Sequence, residues 1–449
     1  MPESHASSTV FSPTEIRRFQ TDINGQRHPG AYEPGRWSVS PLNRDVDVVG
    51  QMPSSVRLRD VTLRSLEALP GVVLTDDAKT SFLEMLVRSG LPEIVTAPVR
   101  SRGLEGARSD VAAIKSLSPD CRVTSPAVFR LEDLRTAAEA GVDAVQVWMP
   151  PWGEASVIYE PIVYAETWQG GDWRSLGLPT SRDGFLNRAL DLVKAAKDDG
   201  LQVTVPLLMV SYLDDERHEQ AVAAFVEAGA DEIALFDGPG AMGPEAMGAL
   251  VARTRALAPT VDIGLHPHNS FGMATAVAVS AARAGADVIE VSVNGYCGGP
   301  GNADLASTVA AFEALYGVRT GVDPSVLQTL ARVAESMTGY QRAYNHPVTG
   351  ERVFNWGGMD FMTQELAVDN LLHNCIAPEW VGSSPGLPVT EMSGPYTVRD
   401  KLTELGYTAT HDQVDHVHSA VKSQMRDLGR QLTDQEIAEL ARAAGAAAT

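Results

Sequence analysis

Two histidines one residue apart, His266 and His268 in "GLHPHNSFG", are the side chains of this 449-residue sequence that most directly offer chemistry. Side chains two apart on a strand point the same way, so both imidazoles can converge on one ion. The competing reading is a pair of histidines that simply bond backbone carbonyls at a strand end. The next apolar run finishes in "SVNGYCGGPGN", a glycine-rich loop carrying Cys297 and Asn302. An amide oxygen such as that of Asn302 is a reasonable ligand for a hard divalent ion. Cys297 reads either as a small loop residue or as an acid/base thiol, which would need a nearby cation to lower its pKa.

What positions these residues is a repeated unit. A helical stretch ends in a small residue and glycine, and a β-branched run follows, as in "SGLPEIVTAPV" (89–99), "AGVDAVQVWMP" (140–150), "DGLQVTVPLLMV" (199–210), "AGADEIALF" (228–236) and "AGADVIEVSV" (284–293). Glycine accepts the left-handed conformation that ends a helix, and the apolar run is a strand buried on both faces. With "VRLRDV" (56–61), "CRVTSPAV" (121–128) and "VDIGLHPH" (261–268) the count of strands reaches eight. The expected fold is therefore α/β, a closed (β/α)8 TIM barrel, with "LHPH" at the end of the seventh strand where barrels carry their reactive groups. An open doubly wound sheet is the alternative, disfavoured because no G-x-G-x-x-G follows any strand.

Residues 1–54 show scattered Pro, Gly and Arg without a sustained period and read as an irregular arm; the barrel is expected over 55–320. Residues 321–449 read as a linker and a small helical C-terminal appendage, whose last helix opens with the capping box Thr433/Glu436. A stretch over 150–184, rich in Trp and Tyr and including Trp152, is long for a βα loop and reads as a lid or pocket wall, or else as a self-packed insertion.

A formal charge of -21 argues against a nucleic-acid or anionic-lipid surface, since both need a basic face. Three widely spaced cysteines build neither a disulfide framework nor a zinc ribbon. No signal peptide or membrane span is evident, so a cytoplasmic address is expected.

The segment "GLHPHNSFGMATAVAVSAARAGADVIEVSVNGYCGGPGN" resembles the H-x-H-N…N-G…G-N signature of the metal-dependent (β/α)8 family of 2-isopropylmalate synthase, homocitrate synthase and 3-hydroxy-3-methylglutaryl-CoA lyase. "VRLRDVTLRSLEALPGV" is similar to the family's first strand, D-T-T-L-R-D-G-E-Q-x-P-G-V, and "PEWVGSSPGLPVTEMSGPYTVRDKLTELGY" matches the synthases' later segment in spacing. The resemblance covers residues 56 to 445, without the synthases' further C-terminal regulatory domain. It implies a divalent cation (Mg, Mn or Zn) held by His266 and His268, with Asn302 as a further ligand. It also implies Arg64 as the cation that steadies a developing enolate or alkoxide oxygen, an acyl-CoA substrate and a homodimer.

Several positions depart from the family pattern. The family's metal-binding aspartate is Ser65 here, followed by Leu66 for glycine and Ala68 for glutamine, whereas Glu67 is kept as a catalytic candidate. Gly238 stands in "LFDGPG" where the synthases carry a hydroxyl that meets the oxo-acid carboxylate, and "VPLLMVSYLD" is apolar where theirs is polar and acidic. Cys297 lies within a residue or two of the lyases' reactive cysteine.

Together these imply a Claisen-type condensation of an acyl thioester with a keto acid or other carbonyl acceptor, one less polar than usual. Ser65, Gly238 and Trp152 would line the substrate pocket, and Arg64, Glu67 and Cys297 would carry the catalysis. The alternatives are a retro-aldol lyase and a metal-free barrel with a binding or scaffold role.

Overall fold

Eight parallel strands close on themselves in the computed structural model, which describes residues 11–66, 68–148, 182–356 and 358–449. We label them β1 (Arg57–Asp60), β2 (Glu93–Val95), β3 (Arg122–Val128), β4 (Ala144–Val147), β5 (Gln202–Leu208), β6 (Glu232–Asp237), β7 (Asp262–Pro267) and β8 (Val288–Val291). β8 pairs with β7 on one side and with β1 on the other, which seals the cylinder. Helices alternate with the strands: α1 (Asp76–Arg88), α2 (Val99–Leu117), α3 (Leu131–Ala140), α4 (Arg182–Asp198), α5 (Asp215–Glu227), α6 (Pro244–Leu257), α7 (Ala274–Arg283) and α8 (Leu305–Ala310). This is the (β/α)8 barrel that the glycine-punctuated repeat predicts. The repeat's logic is visible at Gly141, which ends α3 at φ 85° and turns the chain into β4.

The strands are hydrophobic because both their faces are covered, and β6 and β8 are buried along their whole length. Their inward side chains nonetheless include a layer of charge. Arg59 of β1 is fully buried and meets Glu93 of β2 (2.7 Å), Glu232 of β6 (2.8 Å) and Glu290 of β8 (3.3 Å). Thr124 donates to Glu93 and Gln146 to Glu290, each at 2.7 Å. Buried charges persist only when paired and hydrogen-bonded, and here one guanidinium serves three carboxylates. Gly264 of β7 makes room for this layer, because a Cβ there would come within 2.2 Å of Glu232 Oε1.

Contacts divide the chain into two units, Arg44–Arg342 and the rest. The reason is local bonding. Arg44 donates to the carbonyls of Glu313 and Ala314, and Val56 N–H to Arg319 O, which ties residues 44–56 to the barrel's end. Helix Leu327–Thr338 buries Leu327, Leu330, Ala331 and Ala334, and Asn294 donates to its Ala331 carbonyl.

In the other unit the expected irregular arm contains a helix, Pro13–Gln26, started by a Ser12/Glu15 capping box. None of its residues is buried, which is why it leaves no apolar period to read. Three further helices, Pro395–Glu404, His411–Leu428 and Asp434–Ala443, share a core of Val398, Leu402, Val417, Val421 and Ile437. The predicted Thr433/Glu436 capping box opens the last. Among the described residues no helix is long and apolar enough to cross a membrane.

Candidate functional site

The C-terminal ends of β1, β7 and β8 deliver their side chains to one point. β1 ends at Asp60, whose carboxylate accepts from Thr62 N–H (3.0 Å) and Thr62 Oγ1 (2.6 Å). That bonding starts the short helix Thr62–Leu66, which carries Arg64 and Ser65 inward. Burial raises the Asp60 carboxyl to about 7 despite those bonds.

His266 lies near the end of β7, and its Nε2 lies 3.1 Å from His268 Nε2, 3.5 Å from Arg64 Nη2 and 3.9 Å from Cys297 Sγ. Cys297 Sγ is also 3.7 Å from His268 Nε2 and accepts from Ser65 Oγ at 3.4 Å. On its other side His266 Nδ1 stands 2.9 Å from Glu290 Oε2 at ion-pair range, although the N–H does not point straight at that oxygen. Arg64 Nη1 faces the same oxygen at 3.8 Å. Aromatic rings wall the cluster. Phe236 stacks on His266 at 4.6 Å, and the Arg64 guanidinium lies 5.7 Å from the ring centres of both Phe236 and Trp148.

These contacts set the protonation states. Burial pushes the Cys297 thiol up, but the hydrogen bonds to both imidazoles and the charges of His266 and Arg64 bring it down to about 4. Burial likewise works against ionisation of Glu290, and His266, Arg64 and Arg59 outweigh it and hold the carboxyl at about 2. Burial alone would lower His266; contact with Cys297 and Glu290 raises it instead. The site thus sets a sulfur and a carboxylate on opposite edges of one imidazole, with a guanidinium beside it.

Arg64, Ser65, His266, His268 and Cys297 therefore stand together. Asn302 joins through its backbone, which bridges to His268, while its side-chain oxygen accepts the Ser292 hydroxyl and its Nδ2 is buried without a partner among the described residues. At Gly238 an added Cβ would meet Met209 Sδ at 3.2 Å. Glu67, Trp152 and most of the 150–184 insertion lie outside the described residues. Sequence reading missed Glu290 and Phe236. The signal for Glu290 was present, a lone acid inside the apolar strand "VIEV".

The HMGL-like family pattern matches residues 173–334. A putative (R)-citramalate synthase of Methanopyrus kandleri is 30% identical over 399 residues, 89% of this chain and 74% of that protein. A probable 2-isopropylmalate synthase of Ignicoccus hospitalis is 30% identical over 398 residues, 88% of this chain and 94% of its own length. Among solved structures, the HMG-CoA lyase of Bacillus subtilis shares the fold, with a TM-score of 0.55 at 20% identity, 66% of this chain and 98% of that chain being covered. Likeness to the synthases runs far beyond the histidine motif and through most of both chains, and on that basis the chain belongs to the HMGL-like family that includes the citramalate and 2-isopropylmalate synthases.

Proposed function

We propose that this chain is an acyltransferase that joins an acyl-CoA to a keto acid or related carbonyl acceptor by Claisen-type condensation. The observation that carries the reading is the partly buried Arg64 guanidinium, 3.5 Å from His266 Nε2 at the barrel mouth and 3.8 Å from Glu290. In such a reaction the thioester's α-carbon loses a proton and bonds to the acceptor's carbonyl carbon, whose oxygen gains a proton; water then cleaves the thioester and frees the CoA thiol. Negative charge gathers on oxygen at both stages. A guanidinium fixed beforehand beside that oxygen stabilises the transition state without reorganising, an effect worth about 10²–10³ in rate for one such donor. Glu290 faces both Arg64 and His266 from below, at 3.8 and 2.9 Å.

The imidazole nitrogens of His266 and His268 suit a divalent cation, and both face the same space as Cys297 Sγ. Such an ion, when bound, polarises the acceptor's carbonyl. The rings of Trp148 and Phe236 flank Arg64, which favours acceptors with an apolar side chain over small polar ones. The synthase names of the relatives support the same reading, as does their coverage. Assembly as a homodimer belongs to this proposal, and light scattering should return twice the mass of the chain.

The test is release of free CoA thiol from acetyl-CoA across a panel of aliphatic and aromatic 2-oxo acids and aldehydes. Release should require an acceptor and should fall about 10²–10³-fold in Arg64→Met. Release independent of acceptor would refute the proposal. So would activity confined to cleaving 3-hydroxyacyl-CoA substrates, which would mark a lyase.

A further inference from the structure

We propose that His266, His268 and Cys297 together form a two-nitrogen, one-sulfur metal site, so that this pocket takes a thiophilic ion such as Zn2+ rather than Mg2+ or Mn2+. The inference deepens the reading above and rests on the same pocket. Among the described residues these three make the one group of three or more His, Cys, Asp or Glu side chains whose ligand atoms converge within 4.8 Å. Their separations are 3.1 Å between the two Nε2 atoms and 3.7 and 3.9 Å from Sγ to each. Ligands sharing one ion at bonds of about 2.0–2.3 Å must stand roughly 3–4 Å apart, so all three distances fit a common ion.

Three further features agree. His266 Nδ1 faces the Glu290 carboxylate at 2.9 Å, so the nitrogen left for a metal is Nε2, on the edge that faces His268 and Cys297. Ser65 donates to Cys297 Sγ at 3.4 Å, so the sulfur also has an outer partner that holds it in place. His266 and Cys297 are buried whereas His268 is only partly so, leaving one side open to the barrel mouth. Three protein ligands with an open position is the arrangement of catalytic zinc.

The donor chemistry selects the metal. Mg2+ and Mn2+ prefer hard oxygen ligands, and thiolate with imidazole favours zinc and its neighbours. Glu290 is not an alternative ligand, since Gln146 bonds one of its oxygens and His266 and Arg64 face the other. Without the thiolate, two neutral imidazoles would leave the dication uncompensated in a buried place, which is unfavourable. Cys297 supplies the missing negative charge. Ser65, at the position where the resemblance places an aspartate, is thereby recast from absent ligand to hydrogen-bond support for the one that is present.

Cobalt titration reads the sulfur directly. Co2+ is added to the Cys375→Ser chain, which removes the exposed thiol. One equivalent should raise a near-ultraviolet sulfur-to-cobalt charge-transfer band, which Zn2+ erases and a large excess of Mg2+ does not. Cys297→Ser should lose the band, and Ser65→Ala should keep it with affinity reduced about 10–100-fold. Should Cys297→Ser fail to fold, X-ray absorption on the zinc-loaded Cys375→Ser chain decides, with one sulfur and two imidazole nitrogens expected. Cobalt bound without the band, or a shell of nitrogen and oxygen only, overturns the inference. Acceptor-dependent CoA release without the band would leave the condensation standing and remove the thiolate ligand. The band without CoA release would do the reverse.

Discussion

Glu290 Oε2 stands 2.9 Å from His266 Nδ1 while Oε1 of the same carboxylate meets Arg59 at 3.3 Å. One acid thus links the charged layer inside the barrel to the imidazole at its mouth, and the fold's electrostatics and the site's chemistry share a residue. Outer partners of this kind orient a ligand and raise its basicity. Glu290→Gln should therefore weaken Co2+ or Zn2+ binding about 10–100-fold, measured by calorimetric titration. Unchanged affinity would show that His266 is oriented by something else.

Removing Arg59 leaves Glu93, Glu232 and Glu290 crowded together without their shared cation. Breaking a buried charge cluster from one side costs about 3–5 kcal/mol, so Arg59→Met should lower the urea midpoint by that equivalent. A loss under about 1 kcal/mol would mean the carboxylates take up protons at little cost.

Gly264→Ala tests the packing of the same layer. Its Cβ would meet Glu232 Oε1 at 2.2 Å and Ala234 Cβ at 3.1 Å. Strand β7 is held on both sides, so the clash cannot relax by moving the backbone freely. A destabilisation of about 1–3 kcal/mol is expected, read as a drop in urea midpoint. A midpoint equal to that of the parent chain would contradict the geometry.

Much of the barrel was legible because its signal is local. A helix that ends in glycine and a β-branched run after it can be recognised within a dozen residues, and the paired histidines fall where the seventh strand must end. The charged layer was not legible, because Arg59 meets Glu232 and Glu290 across 173 and 231 residues of chain. A glutamate in a strand reads as a surface residue until closure of the barrel turns it inward. Helix Pro13–Gln26 was missed for the opposite reason, having a good cap but no buried face to impose a period. Cys297 was placed near the histidines by its loop, but its contact with Ser65 depends on how the short helix after β1 turns.

Away from the site, His218 on α5 is buried with Nε2 2.9 Å from Thr254 Oγ1. Burial first, and the Arg253 charge second, lower its pKa from the ordinary value. The folded chain then favours neutral imidazole. Its contribution to stability is full above the unfolded value of about 6.5 and is lost as pH falls through the folded one. Urea midpoints followed from pH 8 down to pH 5 should decline less steeply in His218→Gln than in the parent chain. Parallel declines would show that His218 ionises without cost.

On the proposed function, this pocket forms a carbon–carbon bond beside Arg64. The most direct measurement is mass spectrometry of the product made from acetyl-CoA carrying a deuterated methyl group, with a 2-oxo acid acceptor that supports CoA release. The expected product joins the acetyl unit to the acceptor and lacks one of the methyl deuterons, and Arg64→Met should form it about 10²–10³-fold more slowly. Deuterium recovered only in free acetate, with the acceptor unchanged, would contradict it.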